Sequence, residues 1–472
     1  MMLIHVVTPG ESLWQIAGYY NVTIAKIMNT NQLPDPNGLV VGESLVIPTE
    51  NIFHTVSSGE TLWNIAQTYR TTIQAIAQAN KITNLNNIYP GLTLYIKAPR
   101  YIIKTGDTLL RIAQSYGVTL QALLKVNDIQ RPNIVSPGTV LIIPIKQRPV
   151  IYVNAYIYKL KELAAPIVME DGKHLTYLSP FAYKIKEDGS LEQIDDTVAI
   201  NTSLTKNVVP MMAITNFSST ELGENLAHTI LTSADLQGTL LTNIINTMVT
   251  KGYKGFNIDF ENVLPEDRQL YNQFLQLSVD RLHPLGFFVS SALAPKTSAT
   301  QTGSLYEAHD YEAHGRIVDF VVLMTYEWGY RKGPPQAISP LNEIKRVLDY
   351  AVSVIPIERI YFGFQIYARD WILPFTPGGE AETFSNQEAI QRAVKNNAVI
   401  QYDSIAQSPF YHYIDKQGIM HEVWFEDARS AQAKFDIVKN YNLKGISYWA
   451  LGYPFPQNWA LLEDNFTIKK VT

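Results

Sequence analysis

The chain of 472 residues contains no cysteine, which removes disulfides, thiolate metal sites and cysteine nucleophiles together. It has no surplus of positive charge. With 38 Lys and Arg against 43 Asp and Glu, the net charge is −5, so there is no basic field for nucleic acid. No apolar run reaches the length of a membrane span. The 9 histidines carry no metal-ligand signature; His309 and His314 lack the helical spacing and the glutamate of a zinc protease helix. The N-terminus, MMLIHVVTPGESLWQIA, runs directly into folded-domain sequence, without the basic start and small-residue cleavage site of a signal peptide. Neither a metal nor another cofactor is expected. What is present is ordinary for a soluble globular protein, 46% hydrophobic and 17% charged, with length for several domains. The 27 tyrosines and 7 tryptophans suit stacking on carbohydrate.

Three internal repeats come first. TPGESLWQIAGYYNVT (8–23) recurs as SSGETLWNIAQTYRTT (57–72) and KTGDTLLRIAQSYGVT (104–119). Ser12, Thr61 and Thr108 are helix N-caps ahead of apolar positions at helical spacing, and the glycine before each makes a turn. A second helical pattern follows in each copy and ends at Asn31, Asn80 and Asn127; a glycine and a short apolar strand close the unit. Strand, helix, helix, strand in about 45 residues gives a small core, marginal by itself. All three copies resemble the LysM module, which implies binding of N-acetylglucosamine-containing glycans such as peptidoglycan or chitin. The resemblance places the groove at Gly10, Glu11 and Asn31, at Gly59, Glu60 and Asn80, and at Gly106, Asp107 and Asn127. Each of these residues could equally serve only to make a turn. Weak sites in tandem gain through effective concentration, a physical reason to carry three. The modules are expected at 1–49, 52–97 and 100–146, with linkers around 50–51, 98–99 and 146–149.

From Val150 onward, short apolar strands alternate with helices, the pattern of a parallel-sheet fold. Eight strand candidates fall at 151–158, 177–183, 208–216, 255–261, 287–294, 320–326, 360–367 and 445–449. Residues 149–472 therefore suit a (β/α)8 TIM barrel. Residues 373–424 are too long for a simple loop. They contain a helical run at 386–395 and strand-like pieces at 399–402 and 419–424, an expected small α+β insertion after the seventh strand. The expected fold is thus multidomain, three βααβ LysM modules and a TIM barrel with this insertion.

The fourth strand candidate lies within GYKGFNIDFEN, residues 252–262. Phe256, Ile258 and Phe260 point one way, and Asn257, Asp259 and Glu261 the other. Two carboxyls and an amide on one face are expensive inside an ordinary core. On a barrel strand they would point into a site at its C-terminal end; the alternative is a half-exposed strand with a solvated polar face. The stretch resembles the glycoside hydrolase family 18 signature, Asp-x-x-Asp-x-Asp-x-Glu. Glu261 and Asp259 match it, whereas Lys254 and Asn257 stand at the first two aspartates. MTYEWGY (324–330) resembles the family's sixth-strand motif, with Tyr326 matching and Glu327 in place of aspartate. SYWALGY (447–453) places Trp449 where the family keeps a tryptophan under the sugar. Ala294 and Pro295 after the fifth strand, and Gln365 and Tyr367 on the seventh, fall where the family's subsites lie.

The resemblance implies retaining hydrolysis assisted by the substrate's own acetamido group, an exception to the two-carboxylate scheme. Glu261 is then the acid and base, Asp259 holds the acetamido N–H, Tyr326 its oxygen, and Trp449 floors the sugar. Asn257 is expected to donate its amide to Asp259. The whole architecture is similar to the spore-cortex-lytic N-acetylglucosaminidases of spore-forming bacteria, related to YaaH-type spore germination proteins. That implies a peptidoglycan substrate, location in the spore cortex or coat, no nucleic-acid or membrane partner, and a monomer. A chitinase, a non-catalytic glycan-binding protein and a coat-associated tether are the alternatives.

Overall fold

The computed structural model describes residues 2–49, 52–69, 71–98, 100–116, 118, 120–130, 136–144, 148–217 and 223–471. The expected linkers at 50–51, and in part those at 98–99 and 146–149, lie outside the described residues. Two compact units are present: one holds most of the repeat region, and the other runs from Pro149 onward and also takes in residues 6–10 and 38–45. No helix among the described residues is long and apolar enough to cross a membrane.

Each repeat folds as strand, helix, helix, strand. In the second these are Ile52–Thr55, Leu62–Thr68, Ile73–Ala79 and Thr93–Ile96, and in the third Arg100–Ile102, Leu109–Ser115, Leu120–Val126 and Val140–Ile142. The expected caps are in place. Ser12 accepts from the Gln15 backbone N–H at 3.3 Å while the Gln15 side chain accepts from the Ser12 N–H at 2.8 Å, a capping box. Thr61 and Thr108 each accept from the N3 backbone at 3.2 Å. The helix face that these caps orient carries Leu62, Ile65 and Ala66, packed on Leu94 and Ile96; Leu109, Ile112 and Ala113 pack likewise on Leu141 and Ile143.

The closing asparagines do something the sequence did not reveal. The Asn80 amide donates to Ile76 O at 2.8 Å and Tyr95 O at 2.6 Å, and its oxygen accepts from the Tyr95 N–H at 2.6 Å. Asn31 binds Ile27 and Val46 in the same way, and Asn127 binds Leu123 and Ile142. Both amide protons are consumed, so each asparagine clamps the end of the second helix to the last strand, and the expectation that it meets glycan is corrected. Asn80→Ala would orphan the strand groups at a cost of about 1–3 kcal/mol. Hydrogen exchange on the full chain should then show early loss of protection in Leu62–Thr68 and Ile73–Ala79, with the barrel strands unchanged.

In the second unit eight strands close a parallel barrel in sequence order: Val150–Ile157, Tyr177–Pro180, Val209–Thr215, Gly255–Asp259, Phe288–Leu293, Phe320–Leu323, Ile360–Gln365 and Gly445–Trp449. The eighth pairs with the first, Ser447 opposite Asn154. The interior is layered. Toward the N-terminal ends, Tyr177, Phe320 and Tyr361 form an aromatic layer with Met211 and Val322. Gly445 gives this layer its room, since a Cβ there would lie 1.5 Å from the Tyr361 ring. Above it is a polar layer in which Asn154 accepts from Ser179 and donates to Ser447, both at 2.9 Å. On the outer side Phe260 stacks on Phe274 and Tyr271 of the helix Arg268–Leu282.

The insertion is a five-stranded sheet with the helix Asn386–Lys395. Its sheet includes Tyr367–Leu373, paired antiparallel with Glu382–Ser385 and Met420–Trp424, so the chain leaves the barrel at Gln365, ahead of the expected start at 373. Val40 belongs to the same apolar cluster as Ala368, Phe384 and Ile400.

Candidate active site

A cavity of about 380 Å³ opens at the C-terminal ends of the barrel strands. The fourth strand delivers Asp259 as its last residue, and Glu261 follows two positions on, roughly 6.6 Å along an extended chain. Both line the cavity together with Tyr326, Glu327, Trp449, Ala294 and Pro295. The alternation read from the sequence therefore points the acids inward and Phe260 outward. Lys254 is exposed ahead of the strand's first residue, away from the cavity.

Burial decides the electrostatics. Asp259 is only 5% exposed and its Oδ1 has no hydrogen-bond partner among the described residues. Removal from water pushes its carboxyl up from the ordinary range, because nothing replaces the lost hydration of the anion. Glu261 is pushed up as well, first by burial and then by the charges of Asp259 and Glu327. The Tyr326 hydroxyl stays protonated well beyond its usual range, through burial and its acidic and phenolic neighbours. The site thus holds a protonatable acid beside a second carboxyl and a phenol donor. Glu327 adopts a positive φ of 72°. Its Oε1 accepts from Arg369 Nη2 at 2.8 Å and from the Tyr367 hydroxyl.

Three expected substrate contacts are placed differently. The Asn257 amide donates to Ser290 Oγ at 2.9 Å, and its oxygen accepts from the Tyr156 hydroxyl at 3.0 Å; it buttresses the strand and does not donate to Asp259. Gln365 is outside the cavity lining, with its amide donating at 3.0 Å to Glu426, which a buried Lys434 neutralises at 2.6 Å. Tyr367 also lies outside the lining and acts on Glu327. Both corrections have one cause: the chain enters the insertion's sheet directly after the seventh strand, so Tyr367 sits in that sheet and reaches Glu327, and Gln365 meets Glu426 just past the insertion's last strand. Conversely, Phe181, Phe217, Leu305, Tyr306 and Trp328 line the cavity and were not anticipated. Phe181, Phe217 and Trp328 are aromatics just past strands, a usable signal; Leu305 and Tyr306 come from a loop that carried none.

In the repeats, Gly10, Gly59 and Gly106 take positive φ of 82°, 83° and 90° and make the turns. The acids beside them are tied inward. Glu11 meets His5 at 3.1 Å, Glu60 meets His54 at 2.8 Å, and Asp107 accepts from the Tyr101 hydroxyl at 2.8 Å. Among the large side chains offered to solvent are Trp14, 75% exposed, and Trp63, 60% exposed, at equivalent repeat positions, together with Tyr19 and Tyr89.

A closed parallel barrel with an acid pair at the mouth of its fourth strand is a glycoside hydrolase architecture, and the chain belongs to glycosyl hydrolases family 18, whose model matches residues 156–453. LysM domains match 5–48, 54–97 and 101–144. The chain is 44% identical over 477 residues, the full length of both proteins, to the cortical fragment-lytic enzyme of Bacillus subtilis (strain 168). It is similar along 99% of both chains to the crystal structure of the Bacillus megaterium QM B1551 spore cortex-lytic enzyme SleL, at 36% identity and a TM-score of 0.80. A chitinase structure from Chromobacterium violaceum ATCC 12472, at 23% identity and a TM-score of 0.61, covers 67% of this chain and 98% of its own; at that identity the likeness shows the fold alone.

The raised Glu261 carboxyl has a stability consequence. Folding holds its proton to higher pH than the unfolded chain does, so ionising it costs stability as pH rises from about 4.3 toward the folded value, and the full cost persists above. Glu261→Gln should therefore melt at a higher temperature than wild type at pH 8, the difference disappearing near pH 4, as differential scanning calorimetry across pH would record.

Proposed function

We propose that the protein cleaves the β-1,4 bond on the reducing side of N-acetylglucosamine in spore-cortex peptidoglycan, with retention and with assistance from the substrate's acetamido group. The observation that carries this reading is the convergence of Glu261, Asp259 and Tyr326 on one cavity that Trp449 also lines. Glu261, protonated through burial, donates to the glycosidic oxygen and afterwards takes a proton from water. The acetamido oxygen attacks the anomeric carbon to give an oxazolinium ion. Asp259 accepts the acetamido N–H and stabilises the charge that develops there. The Tyr326 hydroxyl donates to the acetamido oxygen and orients it. Trp449 stacks beneath the sugar, and Glu327, held by Arg369 at 2.8 Å, offers its other oxygen to a hydroxyl.

The cortex as substrate rests on the names of the full-length relatives, and the same chemistry on chitin oligomers is the second reading. The LysM domains anchor the enzyme to the glycan it cuts, and avidity across three of them keeps the barrel on its polymer. The protein acts as a monomer within the spore. On purified cortex muropeptides, wild type should release fragments ending in reducing N-acetylglucosamine, and Glu261→Gln should be slower by roughly 10²–10⁴-fold. Mass spectrometry of the products reads both. Equal rates for the two proteins would remove Glu261 from the mechanism, and cleavage of chitin oligomers alone would move the substrate to the second reading.

A further inference from the structure

Glu261 stands where the sheet stops supporting its own strand. The ladder to the third strand ends at Thr215 opposite Asp259, and the ladder to the fifth ends at Ile258 opposite Ser291. Glu261 therefore has no strand neighbour on either side, although a general acid needs a fixed position. Two side chains continue the hydrogen bonding. On one side the Asn216 oxygen accepts from the Glu261 N–H at 2.9 Å, and the Asn216 amide donates to the Glu261 carbonyl at 2.7 Å. That pair reproduces both bonds a further strand residue would have made. On the other side His309 bridges the fourth and fifth strands: its Nδ1 accepts from the Ala294 N–H at 2.7 Å, and its Nε2 donates to the Phe260 carbonyl at 2.9 Å.

The two contacts of His309 fix its tautomer. A backbone N–H can only donate and a carbonyl can only accept, so the proton is on Nε2 and the ring is neutral. Its surroundings agree, since the ring is buried near Tyr271 and His314, and Lys296 Nζ donates to the His309 carbonyl at 3.1 Å. Asn216 is fully buried and His309 nearly so. Neither is part of the family motif read from the sequence, and neither lines the cavity.

We infer that Asn216 and His309 are positioning residues for the glycosidase reaction: they hold the Phe260–Glu261 peptide from both sides and thereby aim the Glu261 carboxyl. This rests on the reading of Glu261 as the acid. Without the Asn216 pair the Glu261 backbone gains freedom to rotate away from the cavity, and bound substrate is less often in reach of its proton.

The test is initial-rate kinetics of the full chain on purified cortex muropeptides, with thermal unfolding of every variant. Asn216→Ala and His309→Ala should lower kcat by about 10–100-fold while KM moves by no more than about 3-fold. Asn216→Asp keeps the acceptor for the Glu261 N–H and should recover part of the loss; His309→Gln keeps a donor and an acceptor on one side chain and should do the same. These conservative variants also carry the test if an alanine variant fails to fold. In a Glu261→Gln background Asn216→Ala should add nothing to the loss, because both act through one carboxyl. A merely structural role predicts the opposite pattern: losses that follow melting temperature, affect kcat and KM together, and multiply with Glu261→Gln. That pattern, or a wild-type kcat in a folded Asn216→Ala or His309→Ala, overturns the inference. Loss of activity in Glu261→Gln with full activity in Asn216→Ala defeats this inference alone, whereas an active Glu261→Gln defeats the reading of the acid and this inference with it.

Discussion

Two carboxyls at the end of one strand, Asp259 buried and Glu261 partly so, constrain the whole catalytic unit. Neither Asp259 nor Glu261 meets a cation in the cavity lining, and the guanidinium of Arg369 is already engaged by Glu327 at 2.8 Å. A counter-charge near Glu261 would have drawn its carboxyl down into the ordinary ionised range. Its absence from the lining, together with aromatic walls, lets the Glu261 carboxyl hold its proton to higher pH than usual. The cost is local destabilisation, of the kind that accompanies function at many active sites. A rigid barrel bears it: the layer of Tyr177, Phe320 and Tyr361 fills the interior below, and Asn154, Ser179 and Ser447 satisfy one another between that layer and the site.

Side-chain amides standing in for backbone recur in both units. In each repeat one asparagine binds helix end and final strand with three hydrogen bonds, which suits a core of only some seven buried apolar residues. At the barrel mouth Asn216 does the same for a residue that has left the sheet. The physical advantage is common to both places. An amide offers a donor and an acceptor in the geometry of a peptide, so it can satisfy an isolated N–H and C=O pair where no further strand fits. Buried backbone groups without such partners would each cost free energy comparable to a lost hydrogen bond.

The insertion shows how tertiary neighbours reassign side chains. Gln365 and Tyr367 stand at the end of the seventh strand, where contact with a sugar was a reasonable expectation. Because the chain turns at once into the insertion's sheet, Glu426 takes the amide of Gln365, and Tyr367 holds Glu327. The consequence is that one wall of the cavity depends on the insertion, through the Glu327, Tyr367 and Arg369 contacts.

The sequence by itself determined everything carried by local period and local caps. A short apolar run identified the eighth strand to the residue, Gly445–Trp449, and a helical run the insertion helix Asn386–Lys395. Ser12, Thr61 and Thr108 capped as read, because an N-cap and its partner are three residues apart and need no tertiary context. Period-2 alternation also put Asp259 and Glu261 on one face of the chain, with Phe260 opposite. Only the tertiary structure decided what those faces meet. The partners of Asn257 lie 33 and 101 residues away, and Asn31, Asn80 and Asn127 each reach 15 residues to the final strand of their module. Asn216 reaches 45 residues to Glu261, and His309 reaches 49 residues to Phe260. A side chain's donors and acceptors are fixed by its type, but which groups they satisfy depends on packing distant segments together, and no spacing along the chain encodes that.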